Sequence, residues 1–199
     1  NKEEIDIESA LKKICEKVEK SITEKNKSLI ILSDKDLVKG SSVLPSLLVV
    51  GTLHHYLIDK GIRLKASLIV ASGEIRDAHD LACHISYGAS AVWPYLALEN
   101  VRKLAENTPD LGISVSEAQE NYTKTLNKGL LKIMSKMGIC TVSSYRGSEL
   151  FEIIGLDKSV ITNAFKYSKS RTEGIGYEAL GEQIKICSDE ASVDLGGFY

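Results

Sequence analysis

Hydrophobic residues recur along this chain with two different spacings. Near the start, apolar residues lie three or four positions apart in the helical pattern, at Ile7, Leu11, Ile14, Val18 and Ile22. This spacing predicts an amphipathic helix over about 5–25. The same pattern, bounded by Gly, Pro and capping residues, predicts seven more helices: 44–59, 76–86, 97–106, 121–137, 148–154, 157–165 and 177–190.

Short apolar runs separate several of these helices. They predict strands at about 28–33, 66–70, 90–93 and 139–142. Alternation of strand and helix is typical of a parallel sheet with right-handed helical crossovers. The expected fold class is therefore α/β, with repeated strand-helix units forming a parallel sheet that is open or barrel-like (a partial β/α barrel). The first run is apolar on both faces, which predicts a buried parallel strand.

Residues 1–199 are expected to form a single α/β domain, because no composition change divides the chain sharply. The composition changes only after Gly155, where 166–176 is polar, basic and contains two glycines. The sequence starts at Asn1 rather than at methionine, so we expect a piece of a longer protein.

Charge and composition exclude several classes of function. The chain has 25 Lys and Arg against 27 Asp and Glu, a formal net charge of -2 that argues against nucleic-acid binding. No apolar run approaches the roughly 20 residues that span a bilayer, and the start does not resemble a signal peptide. We therefore expect a cytoplasmic protein with no membrane partner.

The cysteines and histidines do not have the spacing of a metal site. Cys15, Cys83, Cys140 and Cys187 are scattered, and we expect reduced, mostly buried thiols without a disulfide. The adjacent pair at 54–55 and the pair His79 and His84, five residues apart, lack the i, i+4 arrangement of a zinc-binding helix. No metal is expected.

Polar residues follow two of the expected strands. Asp34 comes after the first and Glu74 after the second, at the strand ends where α/β folds often bind anions or place catalytic groups. A simpler alternative is that Ser72 caps the next helix and the acidic groups complement its dipole. On these residues alone, a small stand-alone α/β enzyme or a regulatory subunit that binds an anionic ligand stays open.

The stretch 121–147 changes character along its length. A helix carrying lysines at 124, 128, 132 and 136 ends at Gly138, a short strand is expected at 139–142, and an outward-facing polar turn follows. The literal string KGLLKIMSKMGICTVSSYRGSELFEIIGL, together with LPSLLVVGTLHHYLIDKGIR, SLIVASGE and SRTEGIGYEAL, resembles the large subunit of glutamate synthase, ferredoxin- or NADPH-dependent. The resemblance extends over nearly the whole chain and indicates the central domain, with 121–199 leading towards the FMN barrel.

That resemblance implies a role within a larger enzyme. In the family, a glutaminase domain releases ammonia from glutamine, and the flavin barrel combines it with 2-oxoglutarate to make glutamate. FMN and an iron-sulphur cluster serve the parent enzyme, but the chain lacks the cysteine-rich run, the flavin-site motifs and an N-terminal nucleophilic cysteine, since residue 1 is Asn. Cys140 stands where the family pattern leads us to expect Ser. We therefore expect a structural and communicating part with no cofactor and no catalytic residue of its own.

Its expected partners are the glutaminase and FMN-barrel domains of the same parent protein. We predict that Lys136, Ser143, Ser144, Tyr145 and Arg146 mediate coupling between those domains, because an Arg in a polar turn can bind a carboxylate or phosphate through a fixed fork. The alternative is a solvated turn that only connects two elements.

Overall fold

The computed structural model describes residues 6–35 and 42–191. The chain forms two compact units that alternate along the sequence. The helical unit combines Asn1–Ser28, Asp36–Ala66 and Leu150–Tyr199, and the sheet unit combines Leu29–Lys35 and Ser67–Glu149.

The bounds of the elements follow in chain order. The helices are α1 (Ile7–Thr23), α2 (Ser46–Asp59), α3 (Ala78–Ser86), α4 (Tyr95–Asn107), α5 (Val115–Lys136), the single turn α6 (Val142–Tyr145), α7 (Lys158–Ala164) and α8 (Tyr177–Ala191). The strands are β1 (Leu29–Ser33), β2 (Ser67–Ala71), β3 (Ala91–Trp93), β4 (Glu152–Ile153) and β5 (Lys169–Ser170). Seven of the eight predicted helices and the first three predicted strands are thereby confirmed.

Helices α1, α2, α7 and α8 belong to the helical unit. Helix α1 begins where the Asp6 side chain accepts the backbone N–H of Ser9 at 2.9 Å, and it buries one apolar face. Helix α2 is buried on most of its circumference and packs against α7. A Cβ atom at Gly51 would lie 2.3 Å from the carbonyl oxygen of Ala164, so this approach requires a glycine.

The sheet unit is built on three parallel strands in the order β1-β2-β3. Helix α5 packs against both α3 and α4, and its buried positions Leu126, Leu130 and Met134 follow the helical period. The parallel α/β prediction is therefore confirmed. Among the described residues the strands form two small sheets and no closed barrel, since β4 pairs only with β5.

The predicted strand at 139–142 is wrong. Gly138, with φ 74°, ends α5, and the Thr141 hydroxyl accepts the N–H of Ser144 at 3.3 Å to start the turn α6. A local cap of this kind offers the backbone an alternative to strand pairing. The helical turn thus replaces the strand.

The predicted helix at 148–154 is also wrong. Glu149 has φ 50°, a left-handed conformation that interrupts a helix, and its N–H donates to the carbonyl of Ser86. The residues Glu152 and Ile153 then form β4, parallel to β5. Long-range pairing has overridden the helical periodicity of this segment.

Strand β1 is parallel as expected, but it is not buried on both faces. Ile30 is buried, whereas Leu29 and Ile31 are 55% and 59% exposed.

Candidate functional site

The two acidic candidates from the sequence lie near the carboxyl edge of the parallel sheet. The Ser72 hydroxyl donates to Asp34 Oδ2 at 2.6 Å, and the Gly73 N–H donates to the same carboxylate at 3.1 Å. Ser72 is buried, and its Oγ also accepts the N–H of Glu74 at 3.1 Å. Asp34 therefore joins the segments that follow β1 and β2.

These contacts bear directly on the anion-site hypothesis. An incoming anion would use the hydroxyl and amide donors after β2, but the Asp34 carboxylate already accepts from both. A second negative charge beside it would be repelled. Glu74 contributes its backbone N–H, and its side chain is exposed. The hydrogen-bond donors at this edge are thus already used within the protein and are not open to an anion. We call the hydrogen-bonded group of Asp34, Ser72 and Gly73 the clasp.

The start of α3 differs from the expectation that Ser72 caps it. Asp77 is the N-cap: its Oδ1 accepts the backbone N–H groups of His79 and Asp80, both at 2.9 Å. Asp80 Oδ2 in turn accepts the N–H of Arg76 at 2.9 Å. The acidic groups of this segment therefore serve as a capping box.

A cysteine-histidine pair that the sequence analysis did not single out lies on α3. Cys83 Sγ is 3.6 Å from His79 Nε2, because the two residues are one helical turn apart. Burial, with smaller effects of the nearby Asp80 and Asp77 carboxylates, raises the pKa of Cys83 to about 12. A nucleophilic cysteine needs a lowered pKa, so this thiol is structural. The i, i+4 spacing would have revealed the pair.

The other histidines are fixed in the protein interior. Burial lowers the pKa of His84, whose Nδ1 donates to the Asp80 carbonyl at 2.7 Å. His54 Nδ1 accepts from Arg63 Nε at 2.9 Å, while His55 Nε2 accepts the Lys166 N–H at 3.4 Å. Within residues 6–35 and 42–191, no three His, Cys, Asp or Glu side chains are grouped as metal ligands.

The predicted coupling residues differ in their exposure to solvent. Lys136, Ser143, Ser144 and Arg146 are exposed, as predicted for an outward-facing turn. Tyr145 was expected to face outward with them, and this is wrong: its side chain is 0% exposed. Its hydroxyl donates to a carbonyl of α3, at residue 82, at 3.2 Å.

Tyr145 therefore anchors the turn α6 to α3, while its neighbours point into solvent. Arg146 Nη1 lies 3.4 Å from Ser90 Oγ, which leaves most of the guanidinium fork accessible. Burial raises the pKa of Tyr145 to about 12, so the phenol stays protonated at neutral pH. A turn anchored in this way can present an exposed Arg from a fixed attachment point on α3.

The helical unit contains a cleft of about 310 Å³ that sequence reasoning did not find. It lies among residues of α1, α2, the α7 segment and the start of α8. Two of its charged residues form an ion pair: Lys166 Nζ is 3.1 Å from the Asp59 carboxylate, and this partner raises the pKa of Lys166. Burial raises the pKa of Cys15 to about 11, which keeps that thiol protonated. The lining residues come from distant parts of the chain, so no local pattern could reveal the cleft.

The cysteines are all free thiols, but only half of them match the expectation of burial. Cys15 and Cys83 are buried, whereas Cys140 and Cys187 are exposed. Among the helices in the described ranges, none is both long and apolar enough to cross a membrane.

Comparison with known proteins identifies close relatives. Residues 1–157 match the family model of the glutamate synthase central domain. A ferredoxin-dependent glutamate synthase of Cyanidium caldarium is 44% identical over 192 residues, covering 90% of this chain and 12% of that protein. The glutamate synthase [NADPH] large chain of Bacillus subtilis (strain 168) is 41% identical over 189 residues, covering 95% and 12%. The chloroplastic ferredoxin-dependent enzyme of Spinacia oleracea is 36% identical over 208 residues, covering 96% and 13%.

The chain thus spans about 12% of the length of the first two of these relatives. The family match covers 1–157, well over half of the 199 residues, so the chain belongs to the glutamate synthase central domain family.

Proposed function

We propose that this chain is a structural and communicating part of a glutamate synthase, with no complete active site of its own. The observation that carries this proposal is the clasp at the sheet edge. There the chain's own Asp34 carboxylate takes the donors that a ligand would use in an α/β fold. The thiols of Cys15 and Cys83 are buried and have raised pKa values, so neither suits nucleophilic catalysis.

The chemistry of the parent would then lie in other parts of the same polypeptide. A glutaminase domain would supply ammonia from glutamine, and an FMN barrel would combine it with 2-oxoglutarate to form glutamate. An iron-sulphur cluster needs several cysteine thiolates in one place, and the described part of the chain brings no such group together. We propose that the cluster ligands and the flavin contacts of the parent lie in its other domains.

The connection between the two active domains would run along 121–199, with α5 leading to the turn α6. Support comes from the way the turn is held: Tyr145 is buried and bonded to α3, while Lys136, Ser143, Ser144 and Arg146 are exposed. An exposed and well-positioned guanidinium suits a carboxylate on a partner domain. We propose that this turn couples glutamine hydrolysis to glutamate synthesis.

Arg146→Ala in the full-length parent protein tests the proposal. Glutamine consumption and 2-oxoglutarate-dependent glutamate formation are measured separately. Arg102→Ala is the control, because Arg102 lies outside 121–199 and forms ion pairs with Glu99 and Glu106 on its own helix, α4. The expected result is that Arg146→Ala consumes glutamine with less glutamate made, while Arg102→Ala keeps the two rates matched. Equal and small losses of both rates in Arg146→Ala would refute the coupling role and leave the alternative that the turn only connects two elements.

Further expectations about fold, domain organisation, location and partners belong to the same proposal. The parallel strands of this chain would be part of a partial β/α barrel, and residues 1–199 would act as one domain of the parent. The protein would be cytoplasmic and would bind neither nucleic acid nor membrane. The formal net charge of -2 favours the absence of a nucleic-acid partner.

A further inference from the structure

One face of the three-stranded sheet is largely apolar and open to solvent. The parallel register places Ile31, Ile69 and Ala91 side by side, and Leu29 and Trp93 flank them on the same face. These five residues are named the open face. Leu29, Ile31 and Trp93 are 55%, 59% and 45% exposed.

The opposite face of the same strands is covered. Ile30, Leu68 and Val70 are 9%, 0% and 1% exposed. Parallel sheets are almost always covered on both faces, so a one-sided parallel sheet of this kind is unusual for a finished protein. Single exposed apolar residues are common on protein surfaces, but a contiguous exposed apolar face indicates an interaction surface.

The composition of the open face indicates what would cover it. It contains aliphatic and aromatic side chains and no charged residue, and the exposed Ser33 and Ser67 lie at its ends on the same face. A lysine lies beside it: Lys35 Nζ is 5.0 Å from the centroid of the Trp93 ring. Five residues of strand and three strands give a patch of roughly 17 Å by 10 Å between strand axes. A surface of this chemistry fits another apolar surface, not an ionic ligand.

We propose that the open face is covered by an apolar segment of the parent polypeptide that lies outside these 199 residues. The relatives favour this occupant, since the matched region is only 12% of the Cyanidium caldarium and Bacillus subtilis proteins and the rest of each is available to supply the cover. The inference rests on the proposed function, in which this chain is one part of a larger enzyme. It assigns the sheet a contact surface that is separate from the turn α6.

Photo-crosslinking in the full-length parent protein tests the occupant. A benzophenone amino acid replaces Ile31, and the same replacement at Leu64, which is 99% exposed and lies off the sheet, serves as control. The expected result is a cross-link from position 31 to a peptide outside residues 1–199, with none or much less from position 64. A cross-link to a second copy, one to a peptide within 1–199, or none from position 31 would each overturn the proposal.

A matched pair of substitutions gives a second measurement. Lysine is well tolerated on an edge strand that faces water, so Ile31→Lys should be nearly neutral if the open face stays solvated. If the face is covered, Ile31→Lys should lower the thermal midpoint of the full-length protein by several degrees, and Leu64→Lys should leave it unchanged. Equal midpoints for the two variants would contradict the proposal.

Both readouts are independent of glutamate synthesis. A parent protein that shows the expected cross-link but makes no glutamate would refute the proposed function while leaving the contact surface intact. An active enzyme that shows no cross-link from position 31 would refute the contact surface and leave the proposed function intact.

Discussion

The contact between α3 and α5 yields the sharpest prediction, because it depends on one missing methyl group. A Cβ atom built at Gly129 of α5 would lie 2.3 Å from the Cβ atom of Ala78 on α3. Ordinary contact between carbon atoms is about 3.5–4.0 Å. Gly129→Ala would therefore require the two helices to separate locally by about 1.2 Å or to tilt.

Two opposing effects set the magnitude. Alanine in a helix interior is favoured over glycine by about 1 kcal/mol. Overpacking a close contact costs about 1–3 kcal/mol. We expect Gly129→Ala to lower the free energy of unfolding by about 1 kcal/mol, which reverses the sign that helix propensity alone predicts.

Ala78→Gly provides the matched rescue, since it removes the methyl group that the new side chain would strike. In a double-mutant cycle, Ala78→Gly should be destabilising alone but should recover about 1–2 kcal/mol in the Gly129→Ala background. Urea unfolding followed by the fluorescence of Trp93, the only tryptophan of the chain, reports on the sheet unit that contains both helices. A stabilised Gly129→Ala variant, or strictly additive single effects, would refute the close approach.

Three other predictions concern the interior. At pH 8, Cys140 should react rapidly with iodoacetamide, whereas Cys83, buried with a pKa of about 12, should react only after unfolding; equal rates would contradict its burial. Burial lowers the pKa of His84 below its ordinary 6.5, so the unfolded state binds a proton more readily than the folded state. As the pH decreases from 6.5, the free energy of unfolding should therefore decrease by up to about 1.4 kcal/mol per pH unit. The urea midpoint of His84→Gln should fall less between pH 7.5 and 5.5 than that of the unsubstituted chain, and parallel profiles would refute this. The buried hydroxyl of Thr52 has no hydrogen-bond partner among the described residues. Thr52→Val should therefore increase the free energy of unfolding by about 1 kcal/mol and raise the thermal midpoint, whereas Thr52→Ser, which keeps the hydroxyl, should not.

The string of residues around 128–156 and the periodic spacing were enough to indicate both the family and most of the elements. Helical spacing is a local property, because residues three and four apart share a face whatever the rest of the chain does. Helix α1 is an example: four of its five predicted apolar positions, 7, 11, 18 and 22, are buried. The fifth, Ile14, is half-buried, and the adjacent Cys15 is buried instead. Alternation of strand and helix likewise sufficed for the parallel pairing of β1, β2 and β3.

For the candidate site residues, the sequence indicated their position along the chain but not their contacts. Sequence position brought Asp34 to the carboxyl edge of the sheet, but only the tertiary structure showed that its carboxylate accepts from Ser72 and Gly73. The coupling role of Lys136, Ser143, Ser144, Tyr145 and Arg146 stays a prediction. What the structure added is the burial of Tyr145, which no local pattern of polar residues could indicate.

Residue spacing and residue identity were thus enough for most of the helices, for the parallel α/β class and for the family, because these depend on local periodicity and on the literal sequence. Tertiary structure alone decided whether 139–142 pairs as a strand, which face of β1 is covered, and whether a polar side chain points inward or outward. The physical reason is that a strand exists only with a partner, and burial is a property of what packs against a residue. For Leu29 and Ile31, exposed in this chain, we propose that the packing partner lies elsewhere in the parent polypeptide.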